Sequence, residues 1–279
     1  MGISTKVGFI MEQHNHSEQA EQQMPAASQH NGVEDRAAAP KKRQFTRFAF
    51  FKVAPEWWRL PADERERQKQ EFAEVIGHLR EQMMVMGYST MGTRGECDFL
   101  LWFAASELDL LQQGATRVFS TALGQYLTVA HSFLAMTKRS IYVESHVHSG
   151  QEGVRLHLRP TKAKYLFVYP FVKQRSWYTL SKAVRQAMMD EHIEIGHRYP
   201  SVRLNTTYSF GLDDQEFVVA FETNVPEDFL QLVMDLRESQ ASAYTERDTP
   251  IFTCQRMEVP ELLDALGGTP ARVAVGSFL

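Results

Sequence analysis

Apolar and polar positions along the chain run through the same series of patterns twice. The first series opens with FTRFAFFKV from Phe45, passes a tryptophan-bearing turn in APEWWRLP, and continues through ADERERQKQEFAEVIGHLREQ to the hairpin STMGTRGECDFLLWFAA. The second opens with KYLFVYPFVK, turns at QRSWYTL, and continues through SKAVRQAMMDEHIEIGHRYP to the hairpin NTTYSFGLDDQEFVVAFET. Short apolar runs predict strands, and apolar residues three and four apart predict helices. Glycine with acidic residues marks the hairpin turns TRGECD and GLDDQE. A second helix follows each hairpin, roughly ASELDLLQQGATRVFSTAL and PEDFLQLVMDLRESQASAY. PIFTCQRM is expected to close the second series as a final strand, and RSIYVE the first. The spacing repeats along with the order, since Trp57 precedes Phe99 by 42 positions and Trp177 precedes Phe217 by 40.

Strand–helix–strand–strand–helix–strand is the ferredoxin-like order. A sheet with helices on one side must bury its other face as well, and two such sheets meet that need by packing together. The expected fold class is therefore α+β: tandem ferredoxin-like repeats forming a dimeric α+β barrel within one chain. The expected organisation is a polar tail over 1–44, an N-terminal copy over 45–150, a C-terminal copy over 151–262 and a tail over 263–279. The segment 140–163 links the copies. Residues 1–44 are rich in Gln, Ala, Glu, His and Ser and lack apolar periodicity, which predicts disorder.

One position breaks the repetition. Fifteen residues after Trp57 stands Phe72, and fifteen after Trp177 stands His192. His192 falls on the same helical stripe as Val184, Met188 and Ile195. A core histidine satisfied by a hydrogen bond is the ordinary reading, and a ligand for a buried iron is the alternative. His197 lies off that stripe and reads as surface.

Composition narrows the function classes. The net charge is −4, with no sustained basic stripe, so nothing points to nucleic acid. The two cysteines, Cys97 and Cys254, stand far apart with no partner pattern. This speaks against a disulfide framework or a cysteine zinc site and fits a reducing cytoplasm. No apolar run reaches the ~18 residues of a membrane span, and the first residues lack a signal-peptide layout.

Three stretches carry a resemblance: YLFVYPFVKQRSWY, MMDEHIEIGHRYPSVRLNTTYSFGLDDQEFVVAFE and ASAYTERDTPIFT. In order and spacing they resemble the chlorite dismutase family, which includes the coproheme decarboxylases of bacterial haem synthesis. The resemblance spans about residues 45–260 and is strongest over 165–254. It implies haem or coprohaem in the C-terminal copy, assembly as rings that are commonly pentamers, and His192 as the iron ligand. Neutral imidazole on an apolar face suits that role.

Three positions bear on the branch. Where chlorite-splitting members carry a distal arginine, this chain has Leu204; Arg203 is next to it but should point to the opposite face of the strand. Where they carry a carboxylate bonded to the proximal histidine, it has Ala241, with Glu238 three residues earlier. At the Tyr-Pro pair of the decarboxylases it has Tyr169. All three imply the decarboxylase branch, with iron coproporphyrin III as substrate and cofactor and haem b as product. Hydrogen peroxide would be the oxidant, and a radical at Tyr169 would abstract a β-hydrogen from a propionate before carbon dioxide leaves.

Lys173 and Trp177 are the candidates for contacts to the porphyrin's acid groups, with Arg139, Arg175 and Arg237 as weaker ones. A distal base is sought in the loop ESHVHSGQEG, at His146 or His148. A ferrochelatase handing over coprohaem is an open partner. The competing readings are a chlorite dismutase or haem peroxidase, a non-catalytic haem-binding protein, and a purely structural barrel.

Overall fold

The computed structural model describes residues 43–142 and 156–267. In chain order they form β1 (Phe45–Val53), α1 (Ala62–Arg80), β2 (Met84–Ser89), β3 (Phe99–Ala105), α2 (Leu108–Phe119) and β4 (Leu127–Met136). After the interval come β5 (Tyr165–Lys173), the short α3 (Arg175–Thr179), α4 (Lys182–His197), β6 (Arg203–Tyr208), β7 (Phe217–Thr223) and α5 (Pro226–Glu238). The chain then adds β8 (Thr245–Arg247), β9 (Phe252–Met257) and α6 (Val259–Ala265). The architecture is α+β with antiparallel strand pairing throughout.

The strands lie in the order β7-β6-β4-β1-β3-β2-β9-β5-β8, and β5 also pairs with β7. Eight strands therefore make a closed circuit, with β8 attached at the end of β5. The circuit has two seams between the halves of the chain. At one, β2 meets β9 through Gly87↔Met257, Tyr88↔Arg256 and Ser89↔Gln255. At the other, β4 meets β6 through the single pair Met136↔Tyr208.

Strand alternation sorts side chains into layers. Phe48, Phe50, Leu100, Trp102, Leu166, Val168, Val218, Ala220, Phe252 and Cys254 fill the inside of the circuit. Their neighbours on the same strands face outward. Phe51, Phe99 and Leu101 pack under α1, α2 and α6. Phe167, Tyr169 and Phe221 pack under α4 and α5. With both faces covered, all seven residues of β3 are buried.

The strand that closes the first half is LTVAHSFLAM (β4), not RSIYVE; residues 137–142 carry no strand. β4 runs beside β1 from Val53↔Leu127 to Phe45↔Met136, with a register shift between Phe50 and Phe51. That irregularity, with the polar Thr128, His131 and Ser132, blurs the two-residue period that would have marked the strand. A sixth helix was also missed. α6 runs through the expected boundary at residue 262, and its Val259, Leu262 and Leu263 are buried against the N-terminal half. A Cβ on Gly87 would sit 3.0 Å from Leu262 Cδ2 and 3.2 Å from the Met257 carbonyl, so glycine lets this helix approach the sheet.

Phe50 and Phe252, one from each half, stack inside the circuit with ring centroids 3.9 Å apart. Phe50→Ala should lower stability by about 3–5 kcal/mol, as for other buried phenylalanines. Urea denaturation followed by fluorescence and by circular dichroism should show one shifted, coincident transition. Two separate transitions would mean that the halves fold independently.

Candidate functional site

The two halves are alike in strand order and differ in how their long helices sit. α1 buries Gln68, Lys69, Phe72, Ile76 and Leu79. α4 fully buries only Ile195, although it is nearly as long. Its N-terminus is capped by Ser181, whose hydroxyl accepts the Val184 N–H at 3.3 Å, and Pro200 lies just beyond its end. It leans on α5 and on the 240–244 turn. Val184, expected on the apolar stripe, is 43% exposed. The stripe that turns inward holds Arg185, Met188, His192 and Ile195.

His192 is half-buried. Among the described residues its ring has no hydrogen-bond partner, so it is not a core histidine satisfied in the ordinary way. Its pKa is pushed down to about 4, chiefly by burial, then by the charge of Lys173, with Glu191 opposing. The imidazole is thus neutral at physiological pH and has a lone pair to offer. In the same slot of the first half, Phe72 is fully buried against Phe99.

Lys173, at the end of β5, is buried. Its ammonium donates to the Ala241 carbonyl at 2.6 Å and lies 4.6 Å from the centre of the Trp177 ring. Burial pulls its pKa down to about 8, against the pull of Glu216. The ammonium is therefore committed beneath the His192 helix rather than extended as a free cation. Ala241 is buried and supplies only this carbonyl, and Glu238 is exposed. Among the described residues the charges that act on His192 are those of Lys173 and, more weakly and in the opposite sense, Glu191, whose carboxylate accepts the Gln240 N–H at 3.1 Å.

Trp177 is buried against Tyr244 and Tyr142, with centroids 5.5 and 6.4 Å away. Its counterpart Trp57 donates its indole N–H to Gln68 at 3.0 Å. The residue at the Gln68 position in the second half is Met188, which has no oxygen to accept that bond.

Tyr169, on β5, is 8% exposed. Its ring stacks on Phe221 at 6.1 Å. Burial and the charge of Asp248 raise its pKa, and Arg237 lowers it. The phenol therefore stays protonated and lies in the field of the Arg237–Asp248 ion pair. Leu204 packs in the same cluster as Tyr169 and Ile195, whereas Arg203 sits opposite Glu222 on the neighbouring strand. Tyr169, His192, Lys173, Trp177 and Leu204 thus share the α4–α5 side of the sheet. Arg139 and His197 are exposed, and Arg175 is 91% exposed beside Glu216. His146 and His148 lie outside the described residues.

Two residues were missed. Glu216 accepts the Lys173 backbone N–H at 2.9 Å and the Tyr178 hydroxyl at 2.5 Å, tying β7 to the end of β5. The signal was an acidic residue entering the apolar run of β7. The other is Arg185, half-buried on α4 with its Nε unpaired among the described residues, as is the Nε of Arg65 in the first half. Among the described residues no three His, Cys, Asp or Glu side chains could together hold a bare metal ion, and no helix is long and apolar enough to cross a membrane.

The sequence profile of chlorite dismutase matches residues 65–257, which is most of the chain. The protein belongs to the chlorite dismutase family. A coproheme decarboxylase from Mycolicibacterium smegmatis is 32% identical over 180 residues, covering 64% of this chain and 75% of the relative. A chlorite dismutase from Ideonella dechloratans is 25% identical over 222 residues, 77% of each. The crystal structure of a mutant chlorite dismutase from Candidatus Nitrospira defluvii matches with a TM-score of 0.74 and 26% identity, covering 81% of this chain and 96% of that one.

Because Lys173 depresses His192, Lys173→Met should raise the imidazole pKa. NMR titration of the metal-free protein reads this directly. An unchanged pKa would mean that the two groups do not sense each other.

Proposed function

We propose that this family member binds an iron porphyrin through His192 and carries out the peroxide-dependent oxidative decarboxylation of iron coproporphyrin III to haem b. The observation that carries the reading is His192 itself: a neutral imidazole without a hydrogen bond among the described residues, where the other half has a packed phenylalanine. A single histidine is enough, because the porphyrin's own nitrogens would supply the rest of the iron's protein-independent ligation. The named relative from Mycolicibacterium smegmatis favours the decarboxylase branch.

When bound, the iron porphyrin supplies the redox chemistry. The chain supplies placement. Trp177 and Lys173 form the floor below the His192 helix, and Leu204 gives the Tyr169 side an apolar wall. Tyr169 is the residue proposed to pass the oxidising equivalent to a propionate as a tyrosyl radical. Oxidising a protonated phenol releases its proton, and the Arg237–Asp248 pair is the charged group in whose field that hydroxyl lies. Each of the two propionates that react would lose carbon dioxide and two hydrogens and become a vinyl group, while one peroxide takes up the hydrogens and leaves as two waters. Two rounds give haem b. His146 and His148 remain the proposed distal bases.

The closed strand circuit and repeated element order support reading the chain as two ferredoxin-like copies, 45–150 and 151–262, joined as a barrel. The same resemblance supports a pentameric ring, a cytoplasmic setting and a transient contact with ferrochelatase. Chlorite dismutation is the second reading, since relatives of both names match. Leu204 weighs against it, because splitting chlorite benefits from a fixed cation near the reacting anion. Ala241 weighs against it too, because the carboxylate expected beside the proximal histidine is absent.

Mass spectrometry of the porphyrin after mixing with iron coproporphyrin III and slow hydrogen peroxide tests the reading. Two successive losses of carbon dioxide plus two hydrogens are expected. Bleaching without those losses would point to a peroxidase, and oxygen release from chlorite to a dismutase. Tyr169→Phe should keep porphyrin binding and lose vinyl formation. His192→Ala should lose the histidine-ligated Soret band, and an unchanged band would remove His192 as the ligand.

A further inference from the structure

The seam between β2 and β9 carries an open cleft of about 290 Å³ that shares no residue with the site around His192. Both halves of the chain line it. Arg80 comes from the end of α1, Lys162 from the segment before β5, Arg256 from β9, and Glu258 from the residue that precedes α6. Three positive charges and one negative leave an excess of two, on a chain whose net charge is −4. Like charges gathered in one cleft repel unless something pairs them.

The partners within the protein are too few. Arg80 is fixed by its Nε, which donates to the Val85 carbonyl at 3.0 Å, and its Nη1 reaches Glu258 Oε2 at 3.4 Å. Arg256 Nη2 donates to the other oxygen of the same carboxylate at 2.8 Å. One monovalent group is thus shared by two guanidinium groups. The Glu258 side chain is 58% exposed, against 37% for Arg80 and 26% for Arg256, so the carboxylate has the most room to swing away. Among the described residues Lys162 has neither a hydrogen bond nor an ion pair. Thr161, also in the cleft, already gives its N–H and hydroxyl to the buried Glu222 at 2.8 and 3.0 Å. The remaining wall is apolar and is built by Val85, Met86, Pro160 and Met257.

We propose that this cleft binds a dianion that carries a small apolar body, a phosphomonoester being the chemical class that fits. Guanidinium forks take phosphate oxygens in pairs. Two negative charges cancel the excess of two, and the apolar wall takes the attached group. The volume lies at the lower end of ordinary small-molecule sites, which begin near ~300 Å³. The seam itself holds only three strand pairs, so a ligand gripped from both sides would tie the two halves together. The proposal stands apart from the porphyrin reading, because no residue serves both.

The test is isothermal titration of the full chain at about pH 8, where a phosphomonoester is doubly charged, with phenyl phosphate, inorganic phosphate and phenol. Phenyl phosphate should bind tightest, inorganic phosphate more weakly, and phenol without saturation. Arg256→Gln should weaken phenyl phosphate by about tenfold or more, the loss expected for a charge-assisted hydrogen bond. Lys162→Ala, at an exposed position, should weaken it several-fold. Glu258→Gln should tighten it several-fold by removing the competing carboxylate, a gain that a merely structural Glu258 would not give. Should Arg256→Gln fail to fold, the two exposed positions decide alone. No saturable binding of phenyl phosphate, binding unchanged in Lys162→Ala, or weaker binding in Glu258→Gln would overturn the site. Inorganic phosphate binding as tightly as phenyl phosphate would overturn the phosphomonoester assignment.

Discussion

The constraint on which the structure depends is that both faces of its sheet must be buried. Helices cover one face of each half and cannot cover the other. The strands meet this by closing into a circuit whose interior is a layer of aromatic and aliphatic side chains shared by both halves. Each half alone would expose that layer to water, at roughly 25 cal/mol for every Å² of apolar surface. Strand pairing supplies a small part of the closure, three residue pairs at one seam and one at the other, and side-chain bonds such as the Leu134 N–H to Asp213 and the Thr93 hydroxyl to the Thr253 carbonyl add to it. Apolar contacts such as the Phe50–Phe252 stack therefore hold the halves together. Polar residues that enter the interior are bonded in part, since Asn205 Oδ1 is buried without a partner among the described residues. The Glu222 carboxylate accepts from Asn205 Nδ2 at 2.8 Å and from the Thr161 N–H at 2.8 Å. Burial still holds its pKa above the usual carboxylate value.

Since the circuit is so nearly repeated, chemical difference between the halves has to arise in the helices outside it. The first half is closed by substitution and by addition. Phe72 fills the slot that His192 holds in the second half, Gln68 accepts from the Trp57 indole, the Trp58 carbonyl accepts from Arg65 Nη1, and α6 lies over the core, with the Leu266 carbonyl taking the Trp58 indole N–H at 2.6 Å. In the second half each corresponding group is changed or has lost its partner: Phe72 becomes His192, Gln68 becomes Met188, and Arg185 lacks the contacts of Arg65. The two long helices thus differ: α1 is committed to packing, whereas α4 carries His192 and Arg185 without the contacts that hold Phe72 and Arg65.

How legible this was in the sequence follows from which forces act locally. Central strands such as DFLLWFAA declare themselves by sustained apolar character, and the α4 helix by its spacing. β4 did not, because a bulge and three polar residues broke its period. α6 did not, because a seven-residue helix gains its burial from a surface built some 170 residues earlier, to which no local pattern refers. His192 stood out only because the chain contains its own comparison, the same slot filled by Phe72. Arg185 was missed for the complementary reason: both halves carry arginine there, and only the hydrogen bonds distinguish them.

The surroundings of His192 have a chemical consequence under the proposed function. A carboxylate bonded to a ligating imidazole strengthens it as an electron donor. Here the corresponding slot holds Ala241, and burial first and the ammonium of Lys173 second keep the imidazole weakly basic, with Glu191 opposing. For a resident cofactor, a weak axial bond would be a liability. For a porphyrin that arrives as substrate and must leave as product, it is an advantage, because the protein can hold the ring by its acid groups rather than by its metal. Each decarboxylation then removes one of the handles by which the ring is held. Grip falls as the reaction proceeds, and release of the product follows from the same chemistry that makes it.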